Sequence, residues 1–142
     1  MKKVLTRHQS REIAVQFLYQ IDINQDSLTN NLENLKDEHP DLDLDESFLI
    51  DIIQGTYQNI DEIDQLVDSN IDNWNVKRIA KVDRNVIRLA LYEMLYKEDI
   101  PAAVSINEAV ELAKSFSNQK SAKFVNGVLG KLNNKLELEK NE

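Results

Sequence analysis

The side chains best suited to chemistry in this sequence lie near its two ends. Lys2, Lys3, Arg7 and Arg11 precede Tyr19 at the start, and Lys120, Lys123, Lys131 and Lys135 surround Phe124 toward the end. Cations interleaved with aromatic rings suit a single-stranded nucleic acid, because the cations take phosphates while unstacked bases lie on the rings. Positive charge at the opening of a helix opposes the macrodipole and costs roughly a few tenths of a kcal/mol. A polyanionic ligand would give those cations a use. The plain alternatives are a solvated helix start and, for Phe124, a place at the border of the core.

Other chemistries find little support. There is no cysteine, which excludes disulfides, thiolate metal sites and a thiol nucleophile. The two histidines, His8 and His39, have no second ligand at helical spacing, so no metal site is expected. Asp41, Asp43 and Asp45 match the first spacings of a calcium loop. Glu46, however, stands where glycine is required, and Ile52 where the bidentate glutamate is required. That stretch reads as a solvated acidic linker. Gly127 and Gly130 fall inside a helical stripe and read as small residues permitting close helix contact rather than as a backbone-clamping loop. No nucleophile elbow, phosphate loop or dinucleotide glycine pattern occurs. The sequence predicts a binding protein with no catalytic residues, cofactor or metal.

Net charge is −8, which alone disfavours nucleic acid. Its distribution reverses that conclusion. Residues 22–72 hold 15 acidic residues and a single cation, Lys36, while the rest of the chain carries 16 cations and 10 carboxylates. Local potential over a Debye length, rather than the total, steers a polyanion. The molecule is polarised, with basic ends and an acidic middle.

Two prolines and three glycines in 142 residues, with no strand-like alternation, predict one all-α domain of six or seven helices and no sheet. A first helix should open at Thr6, where Gln9 completes a capping box. It buries Ile13, Ala14, Phe17, Leu18 and Ile21 and leaves Arg11, Gln16 and Tyr19 on the solvent face. Ser27 should cap a second helix that ends before Pro40. A long helix from about residue 46 to 70 is expected to bend at Gly55, with Trp74 and Asn75 then marking a turn. Residues 83–97 are apolar on most sides except for Arg84, Asn85 and Arg88, which places that helix centrally. The last two helices, about 105–116 and 121–136, should form an antiparallel hairpin whose first member is capped by Ser105 and Glu108. The charged tail after Leu138 is expected to fray. No run approaches the ~20 apolar residues of a membrane span, and the start has no signal-like apolar run, so a soluble cytoplasmic protein is expected.

Four stretches carry a resemblance. They are Arg11-Glu-x-Ala14-Val-Gln16-x-Leu18-Tyr19-Gln, Leu89-Ala-Leu-Tyr-Glu93, Pro101-x-x-Val104-x-Ile106-Asn107-Glu108 with its continuation to Phe116, and Lys123-Phe-Val-Asn-Gly127-Val-Leu. In this order they resemble the NusB family of transcription antitermination factors, leaving residues 22–80 weakly supported. The resemblance implies two packed three-helix bundles, about 1–80 and 81–138. It implies binding of the single-stranded boxA element of ribosomal RNA leaders together with ribosomal protein NusE, within an RNA polymerase antitermination complex.

By matching position, the RNA side would be Arg7, Arg11, Gln16 and Tyr19, with Lys123, Phe124 and Asn126. The residue reading adds Lys2, Lys3 and Lys120. Asp83, Arg88 and Glu93 would serve the partner. Gln9 and Ser10 depart from the arginine- and alanine-rich start of the family, which predicts weak RNA binding by the chain alone. A homodimer is compatible with the sequence. The alternative from another class is the accessory helical domain of an rRNA cytosine methyltransferase, against which stands the lack of a doubly wound cofactor domain in these 142 residues.

Overall fold

A computed structural model describes residues 3–45, 47–72 and 78–140, with side chains to residue 137. Among the described residues there are seven helices and no strand: α1 Arg7–Asn24, α2 Leu28–Glu38, α3 Phe48–Gln58, α4 Ile60–Asn70, α5 Lys81–Tyr96, α6 Ala102–Phe116 and α7 Gln119–Lys140. The all-α expectation holds. Lys2, Trp74 and Asn75 lie outside the described residues.

Local chemistry sets the early boundaries. Thr6 Oγ1 accepts from the Gln9 backbone N–H at 3.1 Å, and Gln9 Oε1 accepts from the Thr6 N–H at 3.0 Å, closing the expected box. Ser27 and Ser47 cap α2 and α3 in the same manner, each accepting a backbone N–H three residues on. Before α1, Lys3 pairs with the α2–α3 connection: its N–H donates to Asp41 O at 2.7 Å, and its carbonyl accepts from the Asp43 N–H at 3.2 Å. That connection is not the fully solvated linker expected. Asp41, Asp43 and Asp45 face out, but the alternating Leu42 and Leu44 are buried, because an extended segment points successive side chains to opposite sides.

The long helix expected over residues 46–70 is broken at Asn59. Asn59 donates its backbone N–H to Gly55 O at 3.1 Å and its side-chain N–H to the same carbonyl at 2.8 Å, ending α3. Gly55 therefore does not bend a helix. A Cβ there would lie 2.0 Å from Tyr92 Cζ, so the glycine makes room for α5 to cross. Tyr92 passes over it to donate its hydroxyl to Asp51 at 2.7 Å.

The start of α6 also differs. It begins at Ala102, directly after Pro101, whose carbonyl accepts from the Val104 and Ser105 N–H groups. Ser105 already has a backbone partner and lies inside the helix, so the box with Glu108 does not form. Proline reaches the N-terminus of a helix without loss because its missing N–H would be unpaired there anyway.

α5 is central, as expected, and packs against α1, α3, α4, α6 and α7. Val86, Ile87, Leu89 and Leu91 are buried between these neighbours. α6 and α7 form the hairpin, with Ala109, Leu112 and Ala113 in the same core as Val125, Leu129 and Leu132. Gly127 and Gly130 do not mediate that contact. An added Cβ at either would meet nothing within 4 Å. No helix among the described residues is long and apolar enough to cross a membrane.

Candidate nucleic-acid interface

The interface is framed by a set of charges turned inward. Arg11 is 4% exposed and meets Glu93 in a bidentate pair, with Nε and Nη2 each 2.8 Å from a carboxylate oxygen. Ser105 donates its hydroxyl to the same Glu93 carboxylate at 2.9 Å. The guanidinium also lies over the Phe48 ring, 5.3 Å from its centroid. Arg11 is thus not on the solvent face. It joins α1 to α5 and α6, and its charge is spent inside the protein. A planar guanidinium can match a buried carboxylate with two bonds, which an ammonium cannot.

The α5 polar stripe is enclosed in the same way. Arg88 makes a second bidentate pair, with Asp64 of α4, at 2.8 and 2.7 Å. Asp22 of α1 accepts from Arg84 at 2.8 Å and Asn85 at 3.0 Å. Its carboxyl is held below the ordinary value: burial pushes it up, but the bonds from Asn85 and Arg84 and the charge of Arg88 outweigh that. Asp83 is buried, with Oδ2 accepting from Ser121 at 3.3 Å and Oδ1 without a partner. Burial holds its carboxyl above the ordinary range. Asp83, Arg88 and Glu93, the residues assigned to a protein partner, are therefore all interior. Periodicity marked Arg88 as polar and the resemblance pointed to Asp83 and Glu93, but neither could show that α1, α4, α6 and α7 supply the opposing groups.

What remains outside is a rim. Arg7 is exposed, stacked 4.7 Å from the Phe48 centroid, and 3.4 Å from Asp99. Lys3, Lys120, Lys123, Gln16 and Asn126 are exposed as well, and Phe124 is half-buried against the core. Tyr19, 36% exposed, stands on the wall of a groove of about 670 Å³. Val15, Gln16, Gln20 and Ile23 of α1 line it together with Val82 of α5 and Phe116 at the end of α6. α7, which carries Lys120 and Lys123, begins three residues after Phe116. The groove joins the apolar side chains of Val15, Ile23 and Val82 to the rings of Tyr19 and Phe116. Sequence reasoning missed Ile23, 51% exposed. Its signal was an apolar residue four positions after Tyr19 on the polar side of α1. Phe116, partly buried against the core, lines the groove as well.

His8, between the two arginines, takes a role the sequence did not suggest. Its Nδ1 lies 2.8 Å from Glu108 and its Nε2 3.3 Å from Glu12. The hydrogen bond to Glu108 holds the imidazole above its ordinary pKa, against the opposing effect of desolvation. Glu108, expected as a cap, is instead an anchor for α1.

The chain is similar to known proteins along most of its length. The NusB family model matches residues 8–134. The transcription antitermination protein NusB of Clostridium botulinum (strain Kyoto / Type A2) is 44% identical, across 90% of this chain and 99% of its own length. That of Acetivibrio thermocellus is 41% identical, across 89% and 87%. Among solved structures, T. maritima NusB superposes with a TM-score of 0.81 at 36% identity, covering 93% of this chain and 92% of its own. A crystal structure of antitermination factors NusB and NusE in complex with dsRNA shares the fold, with a TM-score of 0.77 at 22% identity, covering 90% and 97%. On this evidence the chain belongs to the NusB family.

Proposed function

We propose that this chain acts in transcription antitermination by binding single-stranded boxA RNA of ribosomal RNA leaders together with ribosomal protein NusE, in support of processive transcription. The observation that carries the RNA half is the groove lined by both Tyr19 and Phe116, on a chain whose Lys3, Arg7, Lys120 and Lys123 stay exposed. Phosphates fall to Lys3, Arg7, Lys120 and Lys123, and bases to the rings of Tyr19 and Phe116. Arg11 contributes by fixing α1, not by touching RNA. Asp83, Arg88 and Glu93 act on a protein partner only through the surface they support. With Arg11 internal, few cations remain for phosphate, so binding by the chain alone is weak and the partner adds to it.

The test is a salt titration of a short boxA-type RNA with and without NusE. Each phosphate contact to a single strand contributes about −0.7 to the slope of log affinity against log salt. A shallow slope alone, with tighter binding when NusE is present, supports the proposal. No RNA binding at low salt in either case overturns it.

A further inference from the structure

We infer that the slot between α1 and α2 is a base-reading subsite that takes one unstacked nucleobase bearing an exocyclic amino group. The inference rests on the RNA-binding reading above and adds a specificity element to it. The slot holds about 200 Å³. Ile13, Phe17 and Leu35 line it with apolar groups, and its polar walls are the amides of Gln16, Gln20 and Asn34 with the Glu38 carboxylate and the His39 imidazole. Phe17 and Leu35 are core residues, so the base meets mainly the polar side chains above them.

The polar groups of the slot divide into used and unused. Asn31, at its back, is occupied: its amide donates to Ser27 O at 2.8 Å and its Oδ1 accepts from Asn24 at 3.0 Å. Gln16 donates to Glu12 O at 3.3 Å. Gln20, Asn34 and Glu38 make no side-chain hydrogen bond among the described residues. Carboxamides with free donors and acceptors, beside a carboxylate that can only accept, match the mixed edge of a base. A carboxylate accepts well from an exocyclic amine, which adenine, cytosine and guanine carry and uracil lacks.

Charge and placement set the direction of entry. Among the described residues no lysine or arginine lines the slot, where His39 joins Glu38, and α2 carries Glu33, Asp37 and Glu38 against a single cation, Lys36. A phosphate is repelled there, so only the uncharged base enters. Gln16 and Gln20 also wall the Tyr19 groove, so the two concavities share one ridge. A strand whose backbone follows the cationic rim can stack one base at Tyr19 and turn a neighbour over the ridge.

The experiment replaces each nucleotide of a boxA-type RNA in turn by uridine. Binding is measured to the full chain with saturating NusE, for the wild type and for Asn34→Ala and Glu38→Ala. Both residues are exposed on α2, and circular dichroism confirms that each variant is folded. One position should show at least about a fivefold loss for uridine with wild type, the low end for a good base-edge contact. The same position should show little or none with either variant, while the salt slope is unchanged. Wild-type binding with equal uridine penalties in the variants overturns the subsite alone. Absence of wild-type binding overturns the subsite together with the reading it rests on.

Discussion

Two sets of charges in this protein have opposite fates. Arg11, Arg84 and Arg88 are drawn in and matched to Glu93, Asp22 and Asp64 across helices. Lys3, Arg7, Lys120 and Lys123 stay at the rim. In the sequence both sets look alike, as cations on the polar side of an amphipathic helix. The difference is burial: the inner cations meet carboxylates that packed helices enclose, whereas Arg7 meets Asp99 in the open. An exposed pair contributes little to stability, whereas breaking a buried pair strands a charge. The inner set should therefore govern folding and the outer set RNA.

The strongest way to break this contrast is at Glu93. Glu93→Ala should lower stability by about 3–5 kcal/mol, because Arg11 is left buried without its partner. Urea denaturation reads this directly. Unchanged stability with lost RNA binding would place Arg11 and Glu93 in the interface after all.

Tyr19→Ala tests the outer set without touching charge. RNA affinity should fall by about 1–3 kcal/mol, as for loss of one stacked base, with the salt slope intact. Its urea midpoint should stay close to wild type. A large drop in that midpoint would make Tyr19 a packing residue.

Lys123→Ala should act differently again, flattening the salt slope by about 0.7 while leaving base preferences alone. An unaltered slope would move the phosphate path away from α7.

The smallest effect belongs to His8, which lies between the two sets. Its folded pKa is held above the ordinary 6.5, chiefly by the Glu108 bond. The stability it lends is therefore fully present below pH 6.5 and lost as pH rises through the folded value. Its half-exposed ring makes the contribution small. His8→Gln should flatten the dependence of melting temperature on pH in that window. A wild-type melting temperature that does not fall across it would show that the His8 contacts to Glu108 and Glu12 lend no stability.

The helices were legible where the signal is local. Stripes such as Ile13, Phe17 and Ile21, the Thr6–Gln9 box and the stop before Pro40 all depend on residues a turn apart. The Asn59 break was not, since it rests on a side chain bonding back to Gly55 O in a run whose apolar spacing continues on both sides. Ser105 and Glu108 misled because they match a capping pattern, while Pro101 had already started the helix. On the surface, the exposed cations and Tyr19 could be read from type and spacing. Arg11 could not, because its burial depends on Glu93, 82 residues away.

That separation bears on how the protein is made. α1 leaves the ribosome early, yet its arginine has no carboxylate to meet until α5 is complete, and Ser105 follows later still. Contacts this distant in sequence are slow to close, and synthesis proceeds from the N-terminus. For most of its synthesis, then, the chain carries α1 without the partner that seats it, and the face bearing Tyr19 takes its final shape only when the second half arrives.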